Sequence, residues 1–265
     1  MYSKPHLLKK YIYYHLTASN GRGHGIHSPF VFDFIKNVLR DKRQYESYRS
    51  IEAVRKKLLL RQDEIEVDDL GAGSTAIKTK KRLVADIARS SLKSPKYAQL
   101  LYRIVRHYQS KTILELGTSF GISTAYMAVA NETSKVYTIE GSPTIATIAK
   151  ENFKQLDLRN IGLLEGNFDT VLPALLNRTK DIDLAFVDGN HRKESTLNYF
   201  QQILAHANDN TVLIFDDIHW SREMEEAWEI ICQADRVTLT IDLFFIGLVF
   251  VNRDFKKRQD FKVRF

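Results

Sequence analysis

The chain has a single cysteine, Cys232, so it holds neither an internal disulfide framework nor a cysteine-rich zinc centre. No apolar run approaches the ~20 residues needed to cross a bilayer. The opening residues, Met1-Tyr-Ser-Lys-Pro-His6, lack the apolar stretch of a secretory leader. These absences lead to the expectation of a cytoplasmic protein. Two nucleotide signatures are also missing. The dinucleotide pattern Gly-x-Gly-x-x-Gly fails because Thr118 stands where its second glycine belongs, and no lysine follows Gly121 as a phosphate-cradling loop requires. There is no internal repeat and no low-complexity segment. What is present suffices for a full core: 265 residues, 44% hydrophobic, in one large domain or one domain with an extension.

Acidic residues are scarce in the first part of the chain. Residues 1–110 carry 22 Lys+Arg against 10 Asp+Glu, a balance of +12, whereas residues 111–265 carry 17 against 22, a balance of −5. The basic part is either a set of solvated helices or an attractor for an anionic partner such as RNA, a nucleotide sugar or an acidic lipid surface. No aromatic-basic motif supports RNA in particular.

Periodicity divides the chain in the same way. Residues 1–60 read as mostly helical, with an aromatic-rich segment from Leu7 to Leu16, helical spacing from Val31 to Leu39, and a further helix from Ile51 to Arg61. Ser28-Pro29 is a helix start, with Ser28 as N-cap and Pro29 at the first helical position. The glycine-rich loop before it carries His24 and His27, spaced either as a metal pair or simply as part of a loop packing over a site. Asp68-Asp-Leu-Gly-Ala-Gly-Ser74 imitates a carboxylate-to-glycine turn. Its preceding run is too polar for a central strand, and the stretch reads as a loop. Helices are expected from Val84 to Ser91 and from Ala98 to Tyr108.

From residue 111, apolar runs at Thr112–Leu116, Lys135–Ile139, Ile161–Leu164, Ile182–Val187 and Thr211–Phe215 alternate with helical segments, the pattern of a parallel sheet covered on both faces. Arg236–Asp242 and Ile246–Val251 are too close for a crossover helix and must pair antiparallel. The expectation is an α/β, Rossmann-like fold with a mostly parallel seven-stranded sheet ending in an antiparallel hairpin. Residues 1–90 form an N-terminal helical extension or cap, and residues 91–265 the main domain.

Ile113-Leu-Glu-Leu-Gly-Thr-Ser-Phe-Gly-Ile-Ser-Thr124 followed by Val136-Tyr-Thr-Ile-Glu140 is the most informative stretch. Gly117 and Gly121 let the backbone turn tightly and approach a ligand. Glu140, ending the second strand, can accept both hydroxyls of a ribose. A ligand with a ribose and no phosphates suits this spacing. Ligands of such sheets sit beyond the C-terminal strand ends. Those ends here are polar throughout: Glu115, Glu140, then Gly166-Asn-Phe-Asp169, Asp188-Gly-Asn-His191, and Asp216-Asp217 with His219 following. Asp188, Asp216 and Asp217 could together hold a hard cation; Asp216 and Asp217 could equally cap the helix beginning near Trp220. His191 could accept a proton from a substrate hydroxyl or be an ordinary surface histidine, and His219 is its rival for that role or an extra ligand.

The first motif, Glu115-x-Gly117-x-x-x-Gly121, resembles that of class I S-adenosylmethionine-dependent methyltransferases. Residues 95–265 are similar to cation-dependent O-methyltransferases of the catechol type. That family has an Asp-x-x-Lys turn after its fourth strand and an Asp-Asn pair ending its fifth. Here His191 replaces the lysine and Asp217 the asparagine. The segment Gly23-His-Gly-Ile-His-Ser-Pro-Phe30 resembles uncharacterised methyltransferase-like proteins of Bacteroidetes. The resemblance implies S-adenosylmethionine as methyl donor, contacted by Glu115, Gly117, Thr118, Ser119, Gly121, Ser123, Glu140, Gly141, Asn167, Phe168 and Asp188. It also implies Mg²⁺ on Asp188, Asp216 and Asp217, with Asp188 and His191 catalytic. The implied reaction is methylation of a small-molecule hydroxyl. An RNA methyltransferase and a non-catalytic S-adenosylmethionine- or nucleoside-binding protein are the alternatives, an NAD-dependent oxidoreductase is disfavoured by Thr118, and a homodimer is left open.

Overall fold

Strand and helix alternate from Thr112 onward, as the apolar runs require. The computed structural model describes residues 1–19, 21, 23, 26–67, 81–179 and 181–265. His24 and the Asp68–Ser74 stretch fall outside the described residues; His27 is described and lies in a loop. The chain forms two compact units, Met1–Asp41 with Leu176–Phe265, and Lys42–Leu175.

The first unit opens with α1 (Lys4–Thr17) and α2 (Pro29–Phe34), which runs on into a π-helical turn, Ile35–Leu39. Ser28 is the N-cap of α2 and Pro29 fills its first turn, as the sequence indicates. The second unit follows with α3 (Glu46–Leu60), the short strands β1 (Glu64–Glu66) and β2 (Lys81–Leu83), then α4 (Val84–Ser91) and α5 (Pro95–Tyr108). β1 and β2 pair antiparallel as a separate two-stranded sheet.

The main strands of this unit are β3 (Thr112–Leu116), β4 (Lys135–Glu140) and β5 (Ile161–Glu165), joined by α6 (Ile122–Ala130) and α7 (Pro143–Gln155) and followed by α8 (Phe168–Leu176). They are parallel in the order β3-β4-β5. Ile113, Leu114 and Leu116 of β3 are fully buried, which explains the apolar run that Glu115 interrupts, while β5 is only partly covered. The β3–β4 register sets Glu115 opposite Thr138.

The chain returns to the first unit with β6 (Ile182–Val187), α9 (Lys193–Ala205), β7 (Ala207–Asp216), α10 (Arg222–Gln233), β8 (Leu239–Asp242), β9 (Ile246–Phe250) and β10 (Gln259–Lys262). β6 and β7 are parallel, β9 runs antiparallel to β7, and β8–β9 is the expected hairpin. All seven strands expected from the apolar runs are present. An eighth principal strand, β10, pairs parallel to β8, with Gln259 opposite Leu239. Its sequence, Gln-Asp-Phe-Lys, is half exposed and gives no apolar signal. Among the described residues, no helix is long and apolar enough to cross a membrane.

Candidate active site

The glycine turn after β3 is built by backbone geometry and closed by one carboxylate. Gly117 (φ 100°), Ser119 (φ 48°) and Gly121 (φ 80°) all adopt left-handed backbone. At Gly121 this is compulsory, since a Cβ there would fall inside contact distance of the Phe153 ring. Gly121 is also the N-cap of α6. Glu140, at the end of β4, accepts the Ser119 N–H on Oε2 at 2.8 Å and the Ser142 N–H on Oε1 at 3.0 Å. Burial raises its pKa, and the amides of Ser142, Ser119 and Gly141 pull it back down only in part. The two oxygens accept these amides and keep lone-pair capacity for a further donor such as a ribose hydroxyl.

Behind the turn lies a buried hydroxyl network. Glu115 is 0% exposed. Its carboxylate accepts Ser123 Oγ at 2.6 Å, Thr138 Oγ1 at 2.7 Å and Thr124 Oγ1. Thr138 spends its one proton on Glu115, so Thr118 is the donor in the 2.6 Å bond between the two threonines. Glu115, Ser123 and Thr118 therefore brace the turn with their side chains. Ser91, at the end of α4, meets Ser119 Oγ to Oγ at 2.8 Å. Gly141 follows Glu140 directly. Asn167 is exposed and begins α8: its Oδ1 accepts the Asp169 N–H at 2.8 Å and its carbonyl the Val171 N–H at 2.9 Å, with Phe168 next to it, half-buried.

The other predicted residues gather in the first unit. One ligand atom each from Asp188, His191 and Asp216 lies within 4.8 Å of the other two. Asp216 is 2% exposed, and His191 Nε2 stands 3.6 Å from Asp188 Oδ1. Asp217 is not one of the three. Its backbone is left-handed at φ 54°, and its N–H donates to Phe245 O at 2.7 Å. The backbone beside the cluster is strained on both sides, with Asn190 (φ 67°) and His191 (φ 39°) left-handed after β6 and Asp217 after β7. The helix-capping alternative for Asp216 and Asp217 fails, because Ser221 is the N-cap of α10 and its side chain accepts the Met224 N–H at 3.2 Å. Two carboxylates and an imidazole are a donor set that fits a divalent cation. The carboxylates suit Mg²⁺, and the nitrogen also admits Mn²⁺ or a similar transition metal.

His219 is not available as a base or a ligand. Its Nδ1 faces Glu225 Oε1 and its Nε2 faces Asp242 Oδ2, both at 2.9 Å. Burial alone would lower its pKa, but the hydrogen bonds and charges of Asp242 and Glu225 outweigh it and raise it. With a carboxylate on each nitrogen, neither ring nitrogen is open to a cation or a substrate proton. The signal for this partner set is faint in the sequence: Asp242 is a lone carboxylate closing an apolar strand, Leu-Thr-Ile-Asp.

Residues 114–218 match a family described as a methyltransferase domain. A catechol O-methyltransferase of Niastella koreensis is 30% identical over 128 residues, 47% of this chain and 57% of that protein. The chain spans about half the length of the curated relatives it matches first. Among solved structures, the O-methyltransferase from Bacillus cereus in complex with SAH aligns with a TM-score of 0.57 at 20% identity, covering 83% of this chain and 97% of that one. The O-methyltransferase TomG from Streptomyces achromogenes, involved in tomaymycin synthesis and solved with SAM, aligns with a TM-score of 0.55 at 22% identity, covering 79% of this chain and all of that one. The chain thus has the class I methyltransferase fold, and its residues 114–218 match a methyltransferase-domain family.

Proposed function

We propose that this chain is an S-adenosylmethionine-dependent O-methyltransferase acting on a hydroxyl of a small molecule, with help from a divalent cation. The observation that carries the reading is the closure of the glycine turn onto Glu140 through the Ser119 amide. That bond fixes a half-buried carboxylate as a diol acceptor beside a turn in which Gly121 leaves no room for a Cβ. The similarity to catechol O-methyltransferases supports the choice of acceptor.

In this reading Glu140 holds the ribose. The backbone from Gly117 to Gly121 faces the methionine part, with Ser119 and Gly141 beside it. Glu115, Ser123 and Thr118 keep the turn in shape. Asn167 and Phe168 flank the base, and Asp188 is a ligand of the cation. The donor's sulfonium carries the reactive methyl group, so the protein's task is position and an activated nucleophile. A cation held by Asp188 and Asp216, with Asp217 in the outer set, would lower the pKa of the acceptor hydroxyl. His191 takes the hydroxyl proton, the part the related family gives to lysine. The same reading makes residues 1–90 an extension of a 91–265 catalytic domain and places the reaction in the cytoplasm.

Transfer of labelled methyl groups to catechol and a panel of phenols, with Mg²⁺, Mn²⁺ or a chelator, tests this. Expected are saturable transfer, its loss on chelation, and a fall of at least about tenfold in cation affinity for Asp188→Asn. His191→Ala should slow turnover while cation affinity holds; a parallel loss of affinity would make His191 a ligand instead. Donor binding without transfer to any hydroxyl would leave a nucleoside-binding protein. The basic balance of residues 1–110 favours one second reading, an RNA acceptor. Extracted RNA in the same assay decides between them.

A further inference from the structure

The turn between β7 and α10 is held by groups remote in sequence. Asp217, left-handed at φ 54°, donates its N–H to Phe245 O at 2.7 Å and accepts the Trp220 N–H at 2.9 Å. Ile218 is 1% exposed. His219 lies between Glu225 and Asp242 and stacks on Phe244, ring centroids 5.1 Å apart. The Trp220 carbonyl accepts the Tyr2 N–H at 3.0 Å. Glu225 is fixed in turn by Tyr2 Oη at 2.7 Å and by Lys10 Nζ at 2.9 Å. Tyr14 of α1 donates to the carbonyls of Asp242, at 3.0 Å, and Val263.

Helix α1 also packs Leu7, Tyr11 and Tyr14 into the cluster around Phe244, but among the described residues its apolar contact is confined to that one cluster. Of its 14 residues only Tyr14 is buried, and Leu8, Ile12, Tyr13 and Leu16 are exposed. A helix of this length is marginal by itself. Yet α1 and the residues just before it send Tyr2 and Lys10 to one carboxylate and a Tyr2 amide to the turn. The turn begins at Asp216 and carries Trp220, whose ring lies 5.7 Å from that of His191. It therefore sits between the N-terminal residues and the acidic cluster.

We propose that the N-terminal segment is a strut for the acidic cluster: Tyr2 and Lys10 fix Glu225, Glu225 and Asp242 fix His219, and the turn so held sets Asp216 and Trp220 against Asp188 and His191. This rests on the reading of that cluster as the cation and acceptor site. Tyr2, Lys10, Glu225 and His219 are positioning residues, since they touch neither cation nor acceptor. Release of the two N-terminal donors frees Glu225 to rotate away from His219. The strained backbone at Asp217 then relaxes, and the cluster loses its spacing before the fold loses its stability.

The test is the Tyr2→Phe/Lys10→Met double variant in the full chain, with Lys10→Arg as the conservative control. Peptide-resolved hydrogen exchange should rise about tenfold in residues 216–221 and stay unchanged in residues 112–140. Calorimetric affinity for Mn²⁺ should fall about tenfold, with the urea midpoint and the affinity for S-adenosylmethionine preserved. Lys10→Arg alone should keep both exchange and affinity. Unchanged exchange in the turn overturns the strut. A uniform rise across the chain with a lowered midpoint overturns it too, by reducing it to general stabilisation, and so does local loosening with undiminished Mn²⁺ affinity. A wild type that binds no cation removes the cation reading itself, and the exchange pattern alone then decides the strut.

Discussion

The glycine turn and the acidic cluster reach order by opposite routes. In the turn, the parts are close in sequence: Glu115 to Glu140 contains the glycines, the three threonines and the serines that bond one another. Backbone amides and buried hydroxyls do the holding. In the cluster, Asp188 and Asp216 sit on different strand ends, and the β7–α10 turn is tied to Tyr2, Lys10, Asp242 and Phe245. There the holding is done by polar and charged side chains over separations of up to 223 residues. A short motif can be rebuilt wherever the chain supplies a strand and a helix. A long-range brace belongs to one particular chain. The methyltransferase-domain match, residues 114–218, takes in both the turn and the cluster, whereas Tyr2, Lys10, Asp242 and Phe245 of the brace lie outside it.

That contrast can be broken by mutation. The largest effect is expected at Gly121→Val. The new side chain meets the Phe153 ring while the residue is forced to stay left-handed, and the two penalties together should cost about 3 kcal/mol or more in urea-induced unfolding. A loss under about 1 kcal/mol would mean that the turn is not built on backbone geometry.

Thr138→Val should come next. It removes a donor from the fully buried Glu115 and strands the Thr118 hydroxyl, at a cost of about 1–3 kcal/mol. A neutral result would show that hydroxyl bracing is dispensable and that the backbone alone holds the turn.

The smallest effect belongs to the brace, and it depends on pH. Burial would raise the Glu225 pKa, but the bonds from Lys10, Tyr2 and His219 lower it overall from 4.5. Its contribution to stability is present above 4.5 and is lost as pH falls through the lowered folded value. His219 is raised above 6.5, so its contribution is complete below 6.5 and is lost as pH rises through the raised folded value. The stability difference between wild type and Glu225→Gln should therefore be widest between pH 4.5 and 6.5 and narrow on both sides. A difference flat with pH would contradict the ionic account of the brace.

The sequence foretells the same half that chemistry keeps local. β3 and β6 match their apolar runs end to end, because all but one residue of each strand is buried. The short link between Asp242 and Ile246 requires the hairpin. Glu140 and the glycines are legible because twenty-odd residues suffice to define them. β10 escaped because a half-exposed strand of four residues carries no period to detect. His219 reads as a rival base because nothing local to it reveals that Asp242 and Glu225 occupy both nitrogens. Asp216 and Asp217 look equivalent in sequence, and only the left-handed backbone at Asp217 separates them.

Calorimetric titration of S-adenosylmethionine into the wild type and into Glu140→Ala tests the central claim most directly. The account predicts one saturable site in the wild type and a loss of at least about tenfold in affinity in the variant, the cost of removing a charged acceptor of two hydroxyls. A wild type that binds no donor, or a variant that binds it equally well, would contradict the account.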